Sequence, residues 1–101
     1  MPLHDFVGEP FVRLHGVGFR MQGDAEIVHC FVTAEALEDF LGRTEVEAGY
    51  AATFNELRAR IGALASRLFD KGDLEGDVVV VNSWDLNPQL FPNLHMRDHP
   101  P

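Results

Sequence analysis

Six large apolar residues set the tightest constraint on the fold. Tyr50, Phe54, Leu57, Ile61, Leu64 and Leu68 recur at intervals of four, three, four, three and four. Residues three and four apart share one face of an α-helix, so this spacing draws a single apolar stripe. The stripe spans under three heptads, too few for a coiled-coil seam, so its partner is a sheet of the same chain. Thr44-Glu45-Val46-Glu47 has the spacing of a capping box and opens this helix. Gly72 closes it after about Lys71. Gly62 falls mid-helix on the far side from the sheet, where it leaves room for another element or chain.

The sheet is read from the flanking segments. FVRLHGVGFRM (11–21) and AEIVHCFV (25–32) are rich in strand formers, and Gly23-Asp24 between them offers a hairpin turn. With those two as the loop, Met21 faces Glu26, Phe19 faces Val28, Val17 faces Cys30 and His15 faces Val32. That is the core side. The other side pairs Arg20 with Ile27, Gly18 with His29 and Gly16 with Phe31, where the rings cover glycine gaps. Thr33 caps a short helix over about 34–41 that Gly42 ends. Leu74-Glu75-Gly76-Asp77 is a turn, and a strand runs from Asp77 to Trp84. Its four valines suggest burial on both faces, inside the sheet. Residues 4–12 can supply a further edge strand. The expected fold is α+β, a small mainly antiparallel sheet against one long and one short helix, in the order β-β-α-α-β. One domain spans 1–86, and the four prolines of 87–101 make an irregular tail.

Charge and composition exclude several classes. The 101-residue chain carries a formal net charge of −8. Asp24, Glu26, Glu35, Glu38 and Asp39 outweigh Arg43, and Asp73, Glu75, Asp77 and Asp85 form a second acidic stretch. Such a chain repels phosphate backbones, which argues against nucleic acid as a partner. No apolar run approaches the roughly 20 residues that span a bilayer, so no membrane is expected. MPLHDFVGEP lacks the basic and apolar regions of a secretory leader. One cysteine makes neither an internal disulfide nor a multi-thiolate zinc site. These signs suit a cytoplasmic protein.

The candidate chemistry is thin. Cys30 directly follows His29, but successive strand side chains point to opposite faces, so His29 cannot activate it. His15 shares its face, one pair removed. The plain reading is a small core residue, and the alternative is a redox or thiol-responsive protein using Cys30 with His15. Arg58, Arg60 and Arg67 lie within ten residues and suggest an anion or RNA contact, against a solvated helix face that balances the acidic turn. Arg58 can also cover apolar surface beside the stripe. His95 and His99 have H-x-x-x-H spacing, but in a proline-flanked tail that fixes no third ligand. GVGFRM does not open a helix and is no dinucleotide loop. No catalytic, cofactor or metal constellation emerges.

The order GVGFRM (16–21), VHCFVTAEALEDF (28–40), FNELRARIGALASRLFDKG (54–72) and EGDVVVVNSWDL (75–86) resembles a bacterial family, the "domain of unknown function 1488". The matching positions are Cys30, Thr33, Glu35, Ala36, Leu37, Phe54, Arg58, Ala65 and Leu68, and the resemblance covers about residues 14–86. It implies a small α+β fold and carries over no activity. The functional expectation is a non-catalytic protein-interaction or oligomerisation module, with a protein partner or a homodimer. It would act through the helix face around Gly62 and Phe69, the sheet edges, or the Leu/Phe/Pro tail.

Overall fold

The computed structural model describes residues 3–43 and 47–91. In chain order these form β1 (Phe11–Arg13), β2 (Gly16–Gln22), β3 (Ile27–Thr33), α1 (Ala34–Leu41), α2 (Glu47–Glu56), α3 (Arg58–Asp70), β4 (Val78–Val81) and α4 (Ser83–Leu86). A 3-10 turn follows at Pro88–Leu90. The sheet order is β1-β2-β3-β4, antiparallel except for the parallel pair β3–β4. This is the expected α+β fold. The capping box at Thr44 and the histidine pair at 95 and 99 lie outside the described residues.

Residues 16–33 form the expected hairpin in a different register. Phe19 faces Cys30, Val17 faces Val32, Met21 faces Val28 and Gly18 faces Phe31. The loop takes four residues instead of two, because the Gly23 N–H donates to Glu26 O at 2.7 Å. The pairing therefore moves by two. Side chains alternate with period two, so every residue of β2 and β3 keeps the face assigned to it, but His15, expected on the core side opposite Val32, lies exposed in the turn before β2. Val17, Phe19, Met21, Val28, Cys30 and Val32 are buried.

The N-terminal residues supply the further edge in two pieces. Phe6 bridges Met21, His4 N–H donates to Gln22 O, and Val7 N–H donates to Arg20 O. Gly8, at φ +71°, turns the chain out before β1 rejoins β2. This segment is the other element for which Gly62 leaves room, on a buried face and not a free one. Gly62 is buried, and a Cβ there would lie 3.1 Å from the Phe6 ring. The glycine admits the chain's own N-terminal segment, not another molecule.

The apolar stripe lies inward as expected, with Tyr50, Phe54, Leu57, Ile61 and Leu68 buried and Leu64 packed at its border. The helix is two helices, however, broken at Leu57 (φ −102°, ψ 10°). The stripe survives the break. Leu57 N–H still donates to Thr53 O at 3.0 Å, and Ile61 N–H to Leu57 O at 2.8 Å. Phe54, Phe19 and Phe6 form a ring cluster with centroids 5.2 to 6.0 Å apart. Thr33 caps α1 by accepting from the Ala36 N–H at 3.0 Å, and Gly42 ends it at φ +74°.

The valine strand is at an edge of the sheet, not inside it, and is shorter than expected. Val79 and Val81 are buried against the helices, while Val78 and Val80 are half-buried on the other face. Its outer edge is closed at both ends. Val78 exchanges two backbone hydrogen bonds with Glu75, at 2.8 and 3.1 Å. The Asn82 N–H is held by the Asp85 carboxylate at 2.9 Å in the capping box of α4. Successive peptide groups of a strand point to opposite sides, so Val80 alone faces outward between these two closures. α4 replaces the expected end of the strand. It is locked on α1, since Ser83 Oγ donates to Asp39 at 2.5 Å and the buried Asn87 donates to Ala36 O at 3.0 Å.

Candidate functional site

The residues singled out from the sequence do not assemble. Cys30 is 3% exposed and faces Phe19 in the core. Its thiol reaches only Val28 O, at 3.7 Å. Burial pushes the thiol from 9.0 up to about 12, the reverse of what activates a nucleophile. His15 sits exposed in the turn between β1 and β2, four residues up the strand from Phe19. At about 3.3 Å per residue that is roughly 13 Å along the ladder. The two are not brought together.

The three arginines also separate. On α3, each residue turns the side-chain direction by about 100°. Arg58 therefore points away from Arg60 and Arg67, which share a face. Arg58 lies over the rings of Phe6 and Phe54, at 5.0 and 5.4 Å, and donates to Asn55 Oδ1 at 2.7 Å. It lids the aromatic cluster, the covering role weighed for it from the sequence. Arg60 donates to Leu86 O at 2.8 Å and so ties α3 to α4. No group of three or more His, Cys, Asp or Glu side chains suited to a metal occurs among the described residues. No helix among them is long and apolar enough to cross a membrane.

What the strands do assemble is the far face of the sheet. All the buried apolar residues of β2, β3 and β4 point to the helical side. The alternate residues point away from that core; the N-terminal segment lies over Arg20, and Gly18, Phe31, Val78 and Val80 are half-buried. Register then lines up Phe11, Gly18, Phe31 and Val80 in one row across all four strands. Phe11 is 40% exposed. The Phe31 ring lies against Gly16 and Gly18, where a Cβ would meet it at 2.9 and 3.8 Å. The glycines thus seat the ring flat, and its outer side faces solvent.

An arginine flanks this row on each side. Arg13 pairs with Gly16 on one side. Arg20 and His29 pair with each other on the other side, beside Val78. The guanidinium groups of Arg13 and Arg20 hold the Phe11 ring at 5.6 and 5.2 Å. Arg20 is further pinned beneath the N-terminal segment, where a Cβ on Gly8 would lie 2.7 Å from it. Its Nε is covered and meets no acceptor. No position of this face in the four strands carries a carboxylate. The face was missed in the sequence because the residues come from four strands and align only in the true register. The signal available was the alternation itself, which had already put Arg20, Gly18, His29 and Phe31 together on the side away from the core.

A second exposed apolar group, Phe40, Trp84 and Leu90, lies about α1 and α4. Trp84 packs edge-on against Phe91 at 6.5 Å. It adjoins the chain after Phe91, outside the described residues.

A family model described as "Protein of unknown function (DUF1488)" matches residues 12–80. A crystal structure of a protein of unknown function from the DUF1488 family of Shewanella loihica PV-4 is similar in fold. It is 16% identical, with a TM-score of 0.68 over 75% of this chain and 88% of that one. At that identity the likeness speaks for the fold alone. No curated protein matches the chain.

Proposed function

Since the chain belongs to the DUF1488 family, whose description names no activity, we propose a function from its surface: a non-catalytic interaction module that docks a protein partner on the open face of the sheet. One observation carries the reading. An apolar row of Phe11, Phe31 and Val80, interrupted only by Gly18, crosses all four strands on the face away from the buried core. Contiguous apolar surface rimmed by polar groups is the usual mark of a docking site. The other surfaces weighed from the sequence favour the reading less. Gly62 is filled by Phe6, Phe69 packs against the core, and the outer edge of β4 is closed by Glu75 and by the cap of α4. β1 is three residues long and follows a proline.

The test uses the full chain as bait, beside Phe11→Ser with Val80→Thr on the open face and Arg67→Glu on α3. A partner retained by Arg67→Glu and lost from the open-face variant supports the reading. A partner held equally by all three places the contact elsewhere and overturns it.

A further inference from the structure

The charge on the open face specifies the partner's chemistry. Resting on the reading above, we infer that the occupant is an acidic protein segment whose apolar side chains lie along the Phe11–Phe31–Val80 row and whose carboxylates meet Arg13 on one side and Arg20 on the other. The body of the protein is acidic, with a net charge of −8. The four strands depart from that sign on the open face, carrying Arg13 and Arg20 and no carboxylate, while Asp5 opposite Gln22 and Glu75 opposite Val78 stand at its edges. Both arginines are held in place against Phe11, so little side-chain freedom remains to be lost on binding. The arginine fork is matched to carboxylate geometry.

Size and charge select among occupants. The row crosses three inter-strand gaps, roughly 14 Å, which four or five extended residues span. A second copy laid face to face would set Arg13 and Arg20 against the same cations of its partner. A nucleic-acid strand meets aromatic rings and arginines here, but it runs on past the two arginines over an acidic body. Its affinity depends on the number of phosphates neutralised. A short acidic peptide feels the local cations within a Debye length of about 8 Å and little of the rest.

The probe is a fluorescein-labelled twelve-residue peptide of alternating glutamate and leucine. Beside it are a peptide with lysine for glutamate and a single-stranded oligouridine of the same length. Binding to the full chain is read by anisotropy at two salt concentrations, and the contact is mapped by amide chemical shifts. The expected result is binding of the glutamate peptide alone, weakened by salt, with shifts at Gly18, Phe31 and Val80. Arg13→Glu with Arg20→Glu should weaken it on the order of tenfold or more, while Arg67→Glu leaves it unchanged. Shift mapping on the unaltered chain keeps the test independent of how well the variants fold. The inference is overturned by preference for the lysine peptide or the oligouridine, by concentration-dependent self-association through this face, or by no binding. If the open-face variant releases the natural partner and the arginine reversals do not, the charge inference fails while the docking reading stands. If neither variant releases it, both fail.

Discussion

Replacing Gly62 by alanine tests the packing of the N-terminal segment on α3. In an exposed helix this change would stabilise by about 1 kcal/mol, since glycine carries the larger entropy cost. Here the added methyl would sit 3.1 and 3.3 Å from the Phe6 ring and 3.4 Å from the Met21 terminal carbon. The ring must give by a few tenths of an ångström. It is held by Phe19, by Phe54 and by the Arg58 guanidinium at 5.0 Å, so it has little freedom to slide. Overpacking of this kind costs roughly 1–3 kcal/mol. The sum puts Gly62→Ala about 1 kcal/mol below the parent. A second background isolates the cause. Phe6→Leu removes the two ring atoms that the methyl meets, so in that background Gly62→Ala should stabilise by up to about 1 kcal/mol. Urea unfolding of the four proteins closes a double-mutant cycle with a coupling of about 2 kcal/mol. If Gly62→Ala stabilises equally with either residue at position 6, the ring contact does not limit this site and the reasoning fails.

Arg58→Ala should cost about 1.5 kcal/mol through two lost ring contacts and the bond to Asn55, and Arg60→Ala about 0.5 kcal/mol. Equal melting temperatures for the two variants would refute that order. The thiol of Cys30 makes a signed pH prediction. Below about pH 9 both folded and unfolded thiols are protonated and nothing is lost. Between 9.0 and about 12 the unfolded thiol ionises first, so folded stability falls with rising pH, by at most about 1.4 kcal/mol per unit. Cys30→Val should lack that part of the alkaline slope in denaturant melts, and native Cys30 should react with Ellman's reagent only at the rate of opening. Gly16→Ala should cost about 3 kcal/mol or more, because φ is +148° and a Cβ would meet Val32 O at 2.1 Å. Gly18→Ala should stay within about 1 kcal/mol of the parent, as its Cβ meets nothing closer than 3.8 Å.

What was legible in the chain follows the range of each signal. Thr33 and Gly42 bound α1 as read, because a cap is decided by a few adjacent residues. The stripe from Tyr50 to Leu68 placed the helical layer, because its period outlasts the break at Leu57. The face of each residue in β2 and β3 was legible, and the register was not. Alternation fixes parity alone, while the loop length depended on a Gly23–Glu26 hydrogen bond and on Gln22 Nε2 donating to Gly23 O at 2.8 Å. The valines misled for a related reason. Four β-branched residues in a row are compatible with an edge once two neighbouring turns have taken the outward peptide groups, and those turns close through Glu75 and Asp85. Gly62 was misplaced because its neighbour, Phe6, is 56 residues away in sequence.

The two glycines of β2 separate what the fold requires from what the open face requires. At Gly16 the backbone itself forbids a side chain, by its φ and by the approach of Val32 O and Ala34 N. Nothing in the backbone forbids one at Gly18. It lies mid-strand, pairs with Phe11 and Phe31 on either side, and has room for a Cβ in ordinary contact. A glycine mid-strand destabilises by about 0.5–1 kcal/mol relative to alanine, so stability gives no reason for it there. Its effect is on the surface. Any larger residue at position 18 would stand between the Phe11 and Phe31 rings and raise the floor of the apolar row on the open face. Position 18 is thus where strand stability and a flat open face ask for different residues, and glycine satisfies the second.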